Sequence, residues 1–184
     1  MKILTLFLFS EISDYEKQQI IDIGEKTAMF LIDSLRKELL NALSKNPENA
    51  IEVCSKKAQS ITKSIENKTG YKLKRTTFKY RNQLNKPDKY EEEVLSIFEK
   101  SNPMPNYYIQ KVKEGKTEVY RYYKPLKVDG VCIMCHGDRN SMNENILKKI
   151  NKIYPNDKAH GYKVGEFRGV VRVSIPVEKI KKGG

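Results

Sequence analysis

Five consecutive residues carry the strongest chemical signal in this chain: Cys132-Ile133-Met134-Cys135-His136. Two thiols two residues apart can add to the two vinyl groups of one haem, forming a pair of thioethers. The imidazole that follows is then held against the iron as an axial ligand. The spacing therefore predicts one covalent haem c, with Cys132 and Cys135 as the attachment residues and His136 on the metal. Arg75 and Arg81 are candidates for holding the propionates, because a guanidinium matches carboxylate geometry. Their competing role is ordinary ion pairing.

The chain has 3 cysteines, so Cys54 is left over. Covalent haem attachment takes place outside the bacterial cytoplasm, where a free exposed thiol is exposed to oxidation. Burial as an inert small hydrophobe removes that hazard, and so does iron ligation. The rivals for the sixth iron position are His160, Met104, Met134 and Met142. Met134 lies inside the attachment run and Met142 only six residues beyond His136, which places both on the His136 side. Met104 sits in a Pro-bracketed turn, Pro103-Met104-Pro105, and His160 in a loop.

The elements that must position these residues are legible in outline. Residues 14–45 read as a long amphipathic helix capped by Ser13 or Asp14, with an apolar stripe of Ile20, Ile23, Thr27, Leu31, Leu35, Leu39 and Leu43. A second helix is expected to start at Asn46-Pro47-Glu48 and to stop at Gly70. Its inner face is Ala50, Cys54, Ala58, Ile61 and Ile65, which turns Cys54 inward beside small residues. Downstream, 71–80 reads as a strand, 81–89 as a polar loop and 90–100 as a short helix. Residues 107–113 and 117–123 form a hairpin around Glu114-Gly115-Lys116, and the attachment run lies in a loop. A helix at 143–153 and a strand at 167–177 complete the chain. The class is α+β: two N-terminal helices and then an antiparallel sheet with short helices inserted. Strands around the attachment run argue against the all-helical electron-transfer cytochromes.

The formal charge is +12, from 35 Lys+Arg against 23 Asp+Glu, spread along the whole chain. Such a balance suits an acidic redox partner, an anionic lipid surface or nucleic acid. No nucleic-acid module is present, and ordinary solvated lysine faces account for the charge equally well. No segment has the apolar length to span a bilayer. Residues 3–9, Ile-Leu-Thr-Leu-Phe-Leu-Phe, behind Lys2, read as a short export signal, so residues 1–13 are set apart from a 14–184 haem domain, and an extracytoplasmic, periplasmic location is expected.

Several segments together resemble the single-haem c-type domain family with a PAS-like fold, found free-standing and as the extracytoplasmic input domain of bacterial sensor kinases and chemoreceptors. They are Ala50-Ile51-Glu52-Val53-Cys54, Lys74-Arg75-Thr76 with Arg81 through Asp88, and Tyr123-Lys124-Pro125-Leu126. Cys132 through Gly137, Tyr154-Pro155 and Gly161-Tyr162 through Gly169 complete the set. The resemblance covers about residues 20–178, and His160 departs from the family pattern before Gly161. It implies a PAS-like antiparallel sheet with one haem in its pocket and Cys54 as the sixth ligand.

On these grounds the expected function is a redox or small-gas sensor working through a separate redox or signalling partner. The alternative is a periplasmic electron-transfer cytochrome. Enzyme activity is not expected, because no distal His-Arg pair is identifiable. A haem-free reading would use Cys54, Cys132, Cys135 and His160 as a Cys3His zinc site, but leaves His136 beside Cys135 unexplained.

Overall fold

A computed structural model describes residues 12–46 and 48–183. The export-signal reading therefore falls almost wholly on residues outside those described, as does Pro47.

Helix α1 spans Asp14–Lys45. Ser13 caps it in a reciprocal box: its hydroxyl accepts from Glu16 N, and the Glu16 carboxylate accepts from Ser13 N at 3.0 Å. The helical run that follows is composite. Helix α2 is Asn49–Glu52, a π-helical turn occupies Val53–Lys57, and α3 is Ala58–Thr69, ended by Gly70 at φ 73°. The helix thus starts later than expected. Asn46 closes α1 through its N–H to Ala42 O and accepts from Glu48 N at 2.8 Å, so the turn belongs to it.

Strand β1 is Lys72–Thr76, α4 Lys89–Lys100, β2 Tyr108–Glu114 and β3 Thr117–Lys127. Then come α5, Ile133–His136, and α6, Glu144–Ile153, before the last strand, β4, Phe167–Pro176. The four strands form one antiparallel sheet in the order β1-β4-β3-β2, giving the expected α+β class. Strand β1 is shorter than the 71–80 predicted, since pairing to β4 runs only from Lys72 to Thr76. The attachment run, expected in a loop, is instead helical, with Cys132 ending a 3-10 turn and Ile133–His136 forming α5.

One sheet face packs on α1 and α3 through a core including Ile20, Leu31, Ile65, Leu73, Tyr122, Val171 and Val173. Gly24 is required there, because a Cβ would run into the Tyr122 ring. The other face packs on α4 through Val94, Leu95, Phe98, Tyr123 and Val170. The apolar stripe of α1 divides between two tasks. Ile20, Thr27 and Leu31 are buried and Ile23 packs against the core, Leu35 both packs on the core and lines a cavity, and Leu39 and Leu43 line cavities beyond its edge.

Candidate functional site

Three adjoining cavities lie between the C-terminal half of α1, the α2–α3 run, the sheet end and the Cys132–His136 turn. The first, of about 570 Å³ including its mouth, is walled by Leu39, Leu43, Ala50 and Ile51, with Cys54, Cys132, Cys135 and His136 on its lining. The second, about 670 Å³, shares Cys54 and Cys132 and adds Arg75. The third, about 570 Å³, shares Cys132, His136 and Arg75 and adds Arg168. The fold thus brings all three cysteines and His136 together, although Cys54 lies far from the others in sequence. Arg75 and Arg81 also border this space.

The attachment turn is held by its neighbours. His136 Nδ1 lies 2.7 Å from Ala159 O. A carbonyl can only accept, so Nδ1 carries the proton and Nε2 keeps its lone pair for a metal. Tyr162 N donates to His136 O at 3.0 Å, and Gly161 N to Gly137 O at 2.8 Å. Gly137 itself is needed, since a Cβ there would sit 2.7 Å from Ile133 O. Burial, with the Arg168 and Arg81 charges behind it, pushes the His136 imidazole down to about 3, so it is neutral and fit to ligate at any ordinary pH.

Arg81 is buried. Its Nε and Nη2 meet Asp157 at 3.0 and 3.1 Å, and Nη2 also donates to Cys135 O at 2.6 Å and Ala159 O at 3.2 Å. It latches the 157–159 segment to the attachment turn, so the alternative of surface pairing takes the form of a buried ion pair. Asp157 and Ala159 are positioning residues that sequence reasoning missed, because Ala159 acts through its backbone.

Cys54 sits in the π-helical turn. A π turn inserts one residue into an α-helix and is frequent at functional sites. Burial pushes its thiol up, opposed by the charges of Arg75 and Arg81. The rivals are placed elsewhere or otherwise occupied. Met134 is exposed, Met142 packs on Ile51, Ile146 and Ile150, and Met104 packs on the α4 side of the sheet. His160 is half-buried and is not on the lining of the three cavities. Among the described residues, no three His, Cys, Asp or Glu side chains assemble into a metal-holding group, so the Cys54, Cys132, Cys135 and His160 zinc set is not formed.

A family model described as Tll0287-like matches residues 10–176. The chain belongs to the Tll0287-like family. The match bears out the family resemblance read from residues 20–178. A solved structure titled the cyanobacterial heme-protein Tll0287 superposes with a TM-score of 0.62 at 22% identity, over 93% of this chain and 99% of that one. At that identity the likeness is one of fold. Among curated proteins, none matches this chain. Among the described residues, no helix is long and apolar enough to cross a membrane.

Proposed function

We propose that this protein binds one haem c through thioethers to Cys132 and Cys135, with His136 and Cys54 as axial ligands. We read it as an extracytoplasmic redox or small-gas sensor built on a PAS-like frame. The observation that carries the reading is that Cys54, from the N-terminal helices, lines the same apolar cavity as Cys132, Cys135 and His136. Membership of a family that includes a protein titled a heme-protein agrees with it.

The residues fit the group. The donor set is a thiol pair for covalent attachment, a neutral imidazole with Nε2 free and a further thiol, and the wall between them is largely aliphatic. When bound, haem iron supplies a one-electron couple and a coordination position able to take a small ligand. His136 is held by Ala159 O and its own backbone partners, which makes it the fixed ligand. Cys54 would be the releasable one: it sits in a π-helical turn, and burial favours its thiol form over the thiolate. A sensor needs one fixed and one releasable ligand, whereas an electron carrier needs both fixed.

Two experiments test the reading. Protein matured in a host able to attach c-type haem is expected to keep its Soret band through denaturation and acid extraction and to gain the mass of one haem. Colourless protein with the mass of the bare polypeptide overturns it. Reduction under carbon monoxide is expected to shift the spectrum as Cys54 gives way; an unchanged six-coordinate spectrum leaves the electron-transfer alternative.

A further inference from the structure

The chain has seven arginines. Five form ion pairs: Arg36 with Asp129, Arg81 and Arg139 with Asp157, Arg121 with Asp88 and Glu114, and Arg172 with Glu91. Arg75 and Arg168 have no acidic partner among the described residues. Both are half-buried, and both line the same cavity, beside Thr77, Asn85, Cys132 and His136, with no acidic residue on its lining.

The backbone aims Arg168 at this place. Leu126 pairs with Gly169 and Lys127 with Phe167, so Arg168 is the extra residue of a β-bulge between β3 and β4. Bulges re-aim a side chain and recur next to functional sites. The Arg168 guanidinium lies 5.1 Å over the Tyr162 ring, and its Nη1 donates to Thr77 Oγ1 and Lys79 O, each at 3.2 Å. These partners are all neutral: they orient the cation without balancing it.

A poorly solvated cation without a counter-charge is costly, and two facing one cavity also repel each other. Burial pulls Arg75 below its ordinary value, and the Arg168 charge adds to that. A ligand carrying two carboxylates offsets both costs. We propose that Arg168, together with Arg75, holds the two propionates of the haem. The inference rests on the haem reading above and assigns Arg168 the place for which Arg81 was a sequence candidate, since Arg81 is closed onto Asp157 and two carbonyls.

The test uses haem-loaded protein. Arg168→Gln is expected to lower the midpoint potential, because losing a nearby cation favours the more positive ferric state. The oxidised-to-reduced ratio at a fixed potential should change about tenfold, or about 59 mV for one electron. The potential should also become pH-dependent near neutrality as a freed propionate takes up a proton, and Arg168→Lys should restore much of the wild-type behaviour. Lys116→Gln removes the same charge from the exposed β2–β3 turn and should change neither. If Arg168→Gln behaves like Lys116→Gln in coloured protein, this inference alone is overturned. Should the Arg168 variants fail to mature, redox-difference infrared spectra of the wild type decide. Propionates paired to guanidinium stay ionised below the ordinary carboxylate range, so a propionic acid band growing in at about pH 4–5 or above overturns the pairing. Wild-type protein that takes up no haem sinks the haem reading itself, and this inference with it.

Discussion

Two charged regions of the protein are balanced differently. Between α4 and the sheet, Lys74, Arg121 and Arg172 meet Asp88, Glu91 and Glu114, three cations for three acids. Glu91 is fully buried and accepts from Lys74 Nζ at 2.6 Å, Arg172 Nη1 at 3.0 Å and Asp88 N at 2.9 Å. The cavity beside the attachment turn holds Arg75 and Arg168 with no acid on its lining. A network neutral by itself is complete in the folded chain and serves the fold. One left positive is complete only with a ligand. The two regions should therefore fail in different ways.

The sharpest break is expected at the cavity. Cys132→Ala with Cys135→Ala should abolish covalently retained haem altogether, read as loss of the Soret band after acid extraction. The haem-free variant should keep its unfolding free energy, from denaturant titration, to within about 1 kcal/mol of haem-free wild type, since deleting two small half-buried side chains removes little burial. Colour retained through extraction would place the attachment elsewhere. The converse variant is Glu91→Gln, which leaves Lys74 without its acid and Arg172 with only the longer pairs to Asp88 and Glu114 at 3.9 and 3.8 Å. It should cost about 3–5 kcal/mol in chemical denaturation, as breaking a buried pair does, with the haem spectrum of the folded fraction unchanged.

Acid should separate the regions further in haem-free protein. The unfolded His136 imidazole binds a proton below 6.5, while the folded one, pushed down by burial and the Arg168 and Arg81 charges, stays neutral to about 3. The unfolded state then binds more protons across that window, so stability falls as pH drops from about 6.5. In the α4 network burial raises Asp88 and Glu114, but the Glu91 N–H and Arg121 hold Asp88, and Arg121 with Arg172 hold Glu114, below their ordinary values. Their contribution is complete above the ordinary carboxylate range and is lost only as pH falls through it and below. His136→Gln should flatten the upper part of the profile and leave the lower part intact; an unchanged upper slope would detach it from His136. The smallest effect is expected for Met104→Leu, under about 1.5 kcal/mol with no spectral change, because Met104 fills the α4-side core. A spectral shift there would return Met104 to the ligand candidates.

Much of the site could be read in the chain because its chemistry is local. Cys132, Cys135 and His136 lie within five residues, and one helical turn presents them together. The start of α1 was legible for the same reason, as Ser13 and Glu16 close a box across three positions. Cys54 was half legible: helical spacing turned it inward, but the π turn that seats it leaves no mark in an otherwise continuous helical pattern. Arg168 was passed over because its direction depends on a register shift between β3 and β4, a property of two strands rather than one. Arg81 was legible as a carboxylate binder; that its acid is Asp157 depends on two loops meeting. The stripe on α1 likewise could not say which leucines fill the core and which line a cavity, since both environments select aliphatic residues.

By itself, then, the order of residues determined the reactive group, the helix that begins at Asp14, the α+β class and the family. These depend on bonds and caps spanning a few positions or on patterns repeated along one element. Tertiary structure alone decided which acids answer which arginines, that Ala159 O sets the His136 tautomer, and that Cys54 shares a cavity with the attachment turn. Each of those depends on groups from separate elements meeting at hydrogen-bond or van der Waals distance, where charge and burial are settled by what lies opposite rather than by what lies next in the chain.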